Sequence, residues 1–280
     1  MSRNQDRLGG VQQHDTTPPP QTINEGGFSF VVPTEFVELP SEGKYYPEGH
    51  PLCGETSIEI KQMTAKEEDM LTSRTLLKKG VALDRVLSSV ITDKSIDPDS
   101  LLIGDRNAII VATRVSGYGN VYSTKVGCPA CGASQDYSFD LNDADVYSGD
   151  DDNIDVIDNQ DGSFNVTLPR TGIVATFRLL NGYDEKSLSS GAELDKKQKV
   201  ERNITRQLSS MLVAANGDTS AQAINYLVQN LPSVDTRHLR LAYRQTAPNI
   251  DLTQNFECSE CGHEQDMEVP LSADFFWPDR

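Results

Sequence analysis

The chain has 280 residues, 42 of them acidic and 25 basic, for a formal net charge of −17 at pH 7. That length suffices for one large domain or two ordinary ones, and the negative balance argues against binding nucleic acid or an anionic membrane through the general surface. No apolar run of about 18 residues marks a membrane span and residues 1–20 lack the apolar core of a signal peptide, so a reducing cytoplasm is the expected compartment.

Residues 1–26 are polar, contain Pro18-Pro19-Pro20 and read as a disordered tail. Residues 27–118 read as an N-terminal region of mixed α/β character. Order is expected from Phe28-Ser29-Phe30-Val31-Val32, followed by a turn-rich aromatic stretch and an alternating strand at Thr56-Ser57-Ile58-Glu59-Ile60. Thr64 with Glu67 three residues on has the form of a capping box, and the helix it opens is expected to run to Gly80. A second helix is expected over about 83–91, where Leu83, Val86, Leu87, Val90 and Ile91 share a face. A third spans Gly104 to Arg114 and is broken by Ser116-Gly117-Tyr118-Gly119.

Residues 119–142 deliver the first of two similar motifs, Cys128-Pro129-Ala130-Cys131-Gly132, on a strand from Asn120 to Val126. The second, Cys258-Ser259-Glu260-Cys261-Gly262, falls within residues 250–280. Two cysteines two apart with glycine after the second form a turn whose N–H groups point at the sulfurs, and two such turns supply the tetrahedral thiolate shell that Zn²⁺ favours. The flanks agree: Gln135 and Gln265 each lie four residues past the second cysteine, and each motif runs on into an extended stretch. Cys128, Cys131, Cys258 and Cys261 are therefore the expected ligands of one structural zinc. Four cysteine ligands leave no open position for catalysis. Disulfides or a thiol redox role are the competing readings, and His263 is a substitute ligand that more naturally faces solvent. Cys53 has no partner in either motif and reads as a free thiol.

Roughly 126 residues, Gly132 to Glu257, separate the inner cysteines, where a compact zinc ribbon has roughly 15–20. If one ion joins both pairs, the ends of the intervening segment must meet, and the metal clamps the base of an insertion over residues 143–249. Pairs from two chains could also close a site between subunits. The insertion begins in a stretch, residues 140–161, with nine Asp and no Lys or Arg, an exposed and self-repelling loop. Calcium is the sharper alternative there, but Asp150-Asp151-Asp152-Asn153-Ile154-Asp155 lacks the EF-hand spacing. A hairpin turning at Asn159-Gln160-Asp161-Gly162 links to Phe164–Leu168, and Ile173–Leu180 reads as another strand. Asp184 to Ala247 is expected to be helical, with Val200, Ile204, Leu208, Met211 and Leu212 on one helix and Ile224, Leu227, Val228 and Leu231 on the next. A third helix carries Arg237, Arg240 and Arg244 on one face, either a solvated stripe paired with acids or a docking surface for an acidic partner.

The chain closes on Phe275-Phe276-Trp277, aromatics that either fold back over the metal module or insert into another subunit. No glycine-rich phosphate loop, nucleophile elbow or helix-borne histidine pair is present, and the four histidines are scattered, so no enzyme activity is expected. The fold class is α+β: a mixed N-terminal region, a split four-cysteine zinc-ribbon module, and a β-hairpin plus helical insertion between its halves.

Leu39-Pro40-Ser41-Glu42-Gly43-Lys44-Tyr45-Tyr46-Pro47, Met63-Thr64-Ala65-Lys66-Glu67-Glu68-Asp69, Leu77-Lys78-Lys79-Gly80, Ile103-Gly104-Asp105-Arg106 and Ser116-Gly117-Tyr118-Gly119 before the first cysteine motif form an ordered set. In that order they resemble the T4-type bacteriophage baseplate hub assembly proteins, most strongly over about residues 36–142 and less distinctively through Leu239-Arg240-Leu241-Ala242-Tyr243 and the second motif. The resemblance implies a non-enzymatic protein of a contractile-tailed phage, acting in assembly of the central baseplate hub as a subunit or a chaperone. It implies other hub and tape-measure proteins as partners, a place near the spike, and the host cytoplasm or the tail baseplate of the virion as location. A zinc-ribbon adaptor touching nucleic acid is a second reading, opposed by Glu257, Glu260, Glu264, Asp266 and Glu268 around the second motif. A thiol redox or metal-dependent enzyme is a third.

Overall fold

Short alternating stretches make the first strands. The computed structural model describes residues 21–24, 27–78, 80–147, 154–198, 202–269 and 273–276. The chain divides after Thr34 into two units. In the first, β1 (Gln21–Asn24) pairs antiparallel with β2 (Gly27–Phe30) as a hairpin. β1 falls inside the segment expected as a tail; the rest of that expectation, residues 1–20 and 25–26, lies outside the described residues.

Residues 35–280 form one compact unit, so the 143–249 segment shares its core with the N-terminal region. β3 (Thr34–Glu38) pairs with β4 (Ser57–Lys61), whose Ile58 and Ile60 point inward from alternate positions. α1 (Ala65–Thr72) starts at the expected capping box: the Thr64 N–H and hydroxyl both donate to Glu67, at 2.9 and 2.6 Å. Glu67 is fully buried and also accepts from Lys61 Nζ at 2.7 Å and from the Ser89 hydroxyl. The expected single helix to Gly80 is instead interrupted at Ser73, and α2 (Arg74–Lys78) is a separate turn. Ser73 is extended, its N–H bonds back to the Met70 carbonyl, and its hydroxyl accepts from the Leu76 N–H at 3.5 Å, restarting the helix. Lys79 lies outside the described residues. α3 (Ala82–Val90) follows and buries Val86, Leu87 and Val90 at the expected helical spacing.

α4 (Ile103–Tyr118) is the central element, longer than expected because Gly117 stays helical and the chain turns only at Gly119, where φ is 81°. A Cβ on Gly117 would lie 2.4 Å from Met63 Cε, and one on Gly104 1.9 Å from the Pro248 carbonyl oxygen, so both glycines allow close packing onto the helix. The turn-rich segment before β4 lies against this helix: buried Asp105 accepts from the Ser41 N–H (2.9 Å), the Ser41 hydroxyl (2.6 Å) and the Tyr46 hydroxyl (2.7 Å). Burial pushes the Asp105 carboxyl up against the pull of these three donors. Next in sequence, Arg106 pairs with Asp84, Asp99 and Glu185, joining α3, α4 and the insertion.

β5 (Val121–Gly127) and β6 (Ser134–Asp140) form the first cysteine hairpin, and β7 (Asp145–Tyr147) leaves it. The insertion then builds a four-stranded sheet of order β11-β10-β9-β8 from β8 (Val156–Asp158), β9 (Ser163–Thr167), β10 (Val174–Arg178) and β11 (Leu212–Ala215). Around it run α5 (Gly182–Gln198), α6 (Asn203–Met211), α7 (Ala221–Asn230) and α8 (Ser233–Thr246). β11 corrects the expectation of helix through Leu212. Leu212 and Ala214 alternate inward, and the strand pairs antiparallel with β10 before a turn at Asn216 and Gly217, both at positive φ. Val200 lies outside the described residues.

β12 (Asn249–Asp251) closes the loop by pairing antiparallel with β7, Asp251 opposite Asp145. β13 (Thr253–Glu257) and β14 (Glu264–Glu268) then form the second cysteine hairpin. A final 3₁₀ turn, Ala273–Phe276, buries Phe275 and Phe276. These two aromatics fold back on the first hairpin, with Phe275 edge-on to Tyr122 at 5.1 Å, while Trp277 lies outside the described residues.

Candidate metal centre

Each cysteine turn is shaped by its glycine. Gly132 (φ 73°) and Gly262 (φ 66°) take the left-handed conformation that a Cβ disfavours, and each N–H returns to the carbonyl of the first cysteine, at 2.8 and 2.9 Å. The N–H groups of Cys128 and Cys258 bond the carbonyls of Ala133 and His263, at 2.8 and 2.9 Å. The two cysteine turns thus share these backbone bonds, and in each the first cysteine is buried and the second exposed.

The turns face each other. Cys128 Sγ lies 3.8 Å from Cys261 Sγ, Cys131 Sγ lies 3.8 Å from Cys258 Sγ, and all four sulfurs fall within 4.8 Å of one another. A tetrahedron of sulfurs at about 2.3 Å from a central ion has edges of about 3.8 Å, so this spacing is compatible with a metal site. All four expected ligands are brought together within one chain. His263 contributes its carbonyl to the turn, and Cys53 is exposed and not among the converging cysteines. Among the described residues no other group of His, Cys, Asp and Glu converges in this way; Asp150, Asp151 and Asp152, weighed for calcium, lie outside them.

The thiols of the cluster titrate against one another. The Cys131 and Ala130 amides aimed at Cys128, helped by the neighbouring thiols, overcome desolvation and hold its thiol at about 6. Cys261 receives the His263 N–H, yet the competing sulfurs of Cys131, Cys258 and Cys128 push it up to about 12. Cys131, despite the Ala133 N–H, is also raised. The first thiolate resists formation of the next, and a divalent ion at the centre would relieve that repulsion.

Side chains lock one hairpin to the other. Gln135 donates to the Glu257 carbonyl at 3.0 Å and accepts from the Ser259 N–H at 2.9 Å, which gives the flanking glutamine of the first motif its role. Gln254 pairs twice with the Asp140 backbone, at 2.6 and 3.1 Å, and the Tyr137 hydroxyl reaches the Asn255 carbonyl at 2.7 Å. Beneath them rings touch in series, Phe256 to Tyr137 to Phe139 at 5.2 and 5.0 Å, and Tyr122 carries the contact on to Phe275. These bonds join residues more than 110 positions apart, so the base of the insertion is closed by side chains and by the β7–β12 pair as well as by the thiols.

One anchor has no counterpart in the sequence reading. Arg114 is fully buried on α4 and donates to the carbonyls of Phe275 (2.8 Å), Gly119 (2.6 Å) and Val121 (3.1 Å), tying the closing aromatics to the start of the first hairpin. Its signal was a single cation in the apolar run Ile109 to Val115.

A family model described as T4 bacteriophage base plate protein matches residues 32–277. The match spans most of the chain, and the chain belongs to that family. Searches of curated proteins and of solved structures found no match. Among the described residues no helix is long and apolar enough to cross a membrane.

Proposed function

Proceeding from that membership, we propose that the chain is a non-enzymatic protein of the phage tail baseplate that acts in assembly of the central hub, as a subunit or an assembly chaperone, with one structural Zn²⁺ held by Cys128, Cys131, Cys258 and Cys261. The family match over residues 32–277 carries the baseplate reading. Support for the metal comes from the 3.8 Å sulfur spacing and an all-thiol donor set, which leaves no coordination position for water or substrate. The ion would join the two hairpins at the base of the 143–249 insertion and stabilise the unit that presents α5 to α8 to partners. Those partners are the other hub and tape-measure proteins, first in the host cytoplasm during assembly and then in the tail. Exposed Glu257, Glu260 and Glu264 beside the second hairpin oppose a role in gripping nucleic acid.

Electron microscopy of lysates from phage unable to make this chain tests the reading. Baseplates with an empty or missing hub are expected, restored by supplying the chain; complete baseplates and tails without it would contradict the proposal. Mass spectrometry of purified virions then separates the two roles, since a subunit stays in the tail and a chaperone does not.

A further inference from the structure

The arginines of α8 line a cleft whose other end is apolar. Two adjoining hollows of about 470 and 440 Å³ share Gln207 and Tyr243 as a common wall and so run together. The first is floored by Leu102, Leu180 and Leu188. Arg206 also lines it but is held by Asp195 at 2.8 Å. The second is bordered by Arg237, Arg240 and Arg244, one face of α8 at helical spacing, and by Tyr147. No Asp or Glu stands among the described residues that line either hollow.

Two polar atoms at the cationic end are buried without a hydrogen-bond partner among the described residues: Arg240 Nε and the Tyr147 hydroxyl. Buried donors are almost always satisfied, and leaving one unmade is costly. Arg240 Nε can only donate and the Tyr147 hydroxyl can donate, so an acceptor satisfies both, and beside the Arg237 and Arg240 guanidinium groups an anionic one fits best. In a chain of net charge −17 this local concentration of cations runs against the overall field, which marks a local rather than a general attraction.

We propose that this cleft is a docking site for an acidic peptide segment of a protein partner, whose carboxylates meet Arg237, Arg240 and Tyr147 while a neighbouring apolar side chain enters the hollow floored by Leu102, Leu180 and Leu188. The apolar end distinguishes a peptide from nucleic acid, because a sugar-phosphate backbone offers nothing to fill it and the acidic remainder of the surface repels its continuation.

The test uses the full-length protein as purified and a fluorescently labelled peptide with a central leucine-phenylalanine pair flanked by glutamates, read by anisotropy. Saturable binding is expected, with affinity reduced about tenfold by Arg240→Gln, as for loss of one charge-assisted hydrogen bond. A smaller reduction is expected for the exposed Arg237→Gln, which keeps the test alive if the first variant folds poorly. Ala192→Phe, which fills the apolar end, is expected to weaken binding comparably, and a peptide with glutamine in place of glutamate is expected not to bind. The proposal is overturned by no binding to the wild-type protein, by unchanged binding in both arginine variants, or by a single-stranded oligonucleotide of equal charge competing as well as the peptide.

Discussion

Arg114 shows how one side chain can hold three segments. A fully buried guanidinium is tolerable only if its donors are met, and here three backbone carbonyls meet them. Burial pulls its pKa below the ordinary arginine value, but the side chain remains a cation. Arg114→Leu removes the donors and leaves the three carbonyls without them, which is expected to cost about 3 kcal/mol in urea unfolding and to speed proteolysis near Phe275. A change within about 0.5 kcal/mol would show that the arginine is incidental. The cysteines are residue-scale features of the same kind. Cys128→Ser and Cys258→Ser each break one shell, so both should lower the thermal midpoint by similar amounts, and a variant as stable as wild type would speak against a shared ion. That the four cysteines would converge was legible from spacing alone, because residue type and interval repeat together in the two motifs. Arg114 left only the mark of a lone cation in the apolar run Ile109 to Val115, because its partners are backbone carbonyls, which leave none of their own.

At the scale of elements, α1 illustrates a signal that local chemistry carries well. Thr64 and Glu67 form their capping box as expected, and the same carboxylate reaches β4 and α3 through Lys61 and Ser89. Desolvation alone would raise the Glu67 pKa; the hydrogen bonds from Lys61, Ser89 and Thr64 outweigh it and hold the carboxyl at about 2. A depressed folded-state pKa gives stability that is complete above the unfolded value of about 4.3 and is lost as pH falls toward 2. Glu67→Gln should therefore cost about 2 kcal/mol at pH 7, with the gap to wild type closing between about pH 4.3 and 2. Denaturant titrations at several pH values measure this, and a pH-independent gap would assign the loss to packing instead. The elements that sequence missed depended on distant partners. β11 forms where Leu212 and Ala214 meet β10, and at Gly117 in α4 Met63 occupies the space a side chain would need.

For the whole molecule, the long interval between the cysteine pairs has a simple consequence: the chain leaves the first hairpin along β7, completes the insertion, and returns along β12 beside its point of departure. That the ends must meet followed from the spacing of the two motifs. That the insertion would also share the core of α4, through Arg106 to Glu185 and the Ile103 N–H to the Leu180 carbonyl at 3.2 Å, did not, since no local pattern records which faces of two helical regions adjoin. Closing a loop of this length costs entropy that grows only slowly with length, and an ion bound only by the folded state would offset it. Elemental analysis of the protein purified under reducing conditions, combined with native mass measurement, decides whether the four thiols share an ion. One zinc for each chain is expected, lost to a strong chelator together with a fall in thermal midpoint; a metal-free protein with the same midpoint, or cysteines joined as disulfides, would show that no shared ion holds the two hairpins.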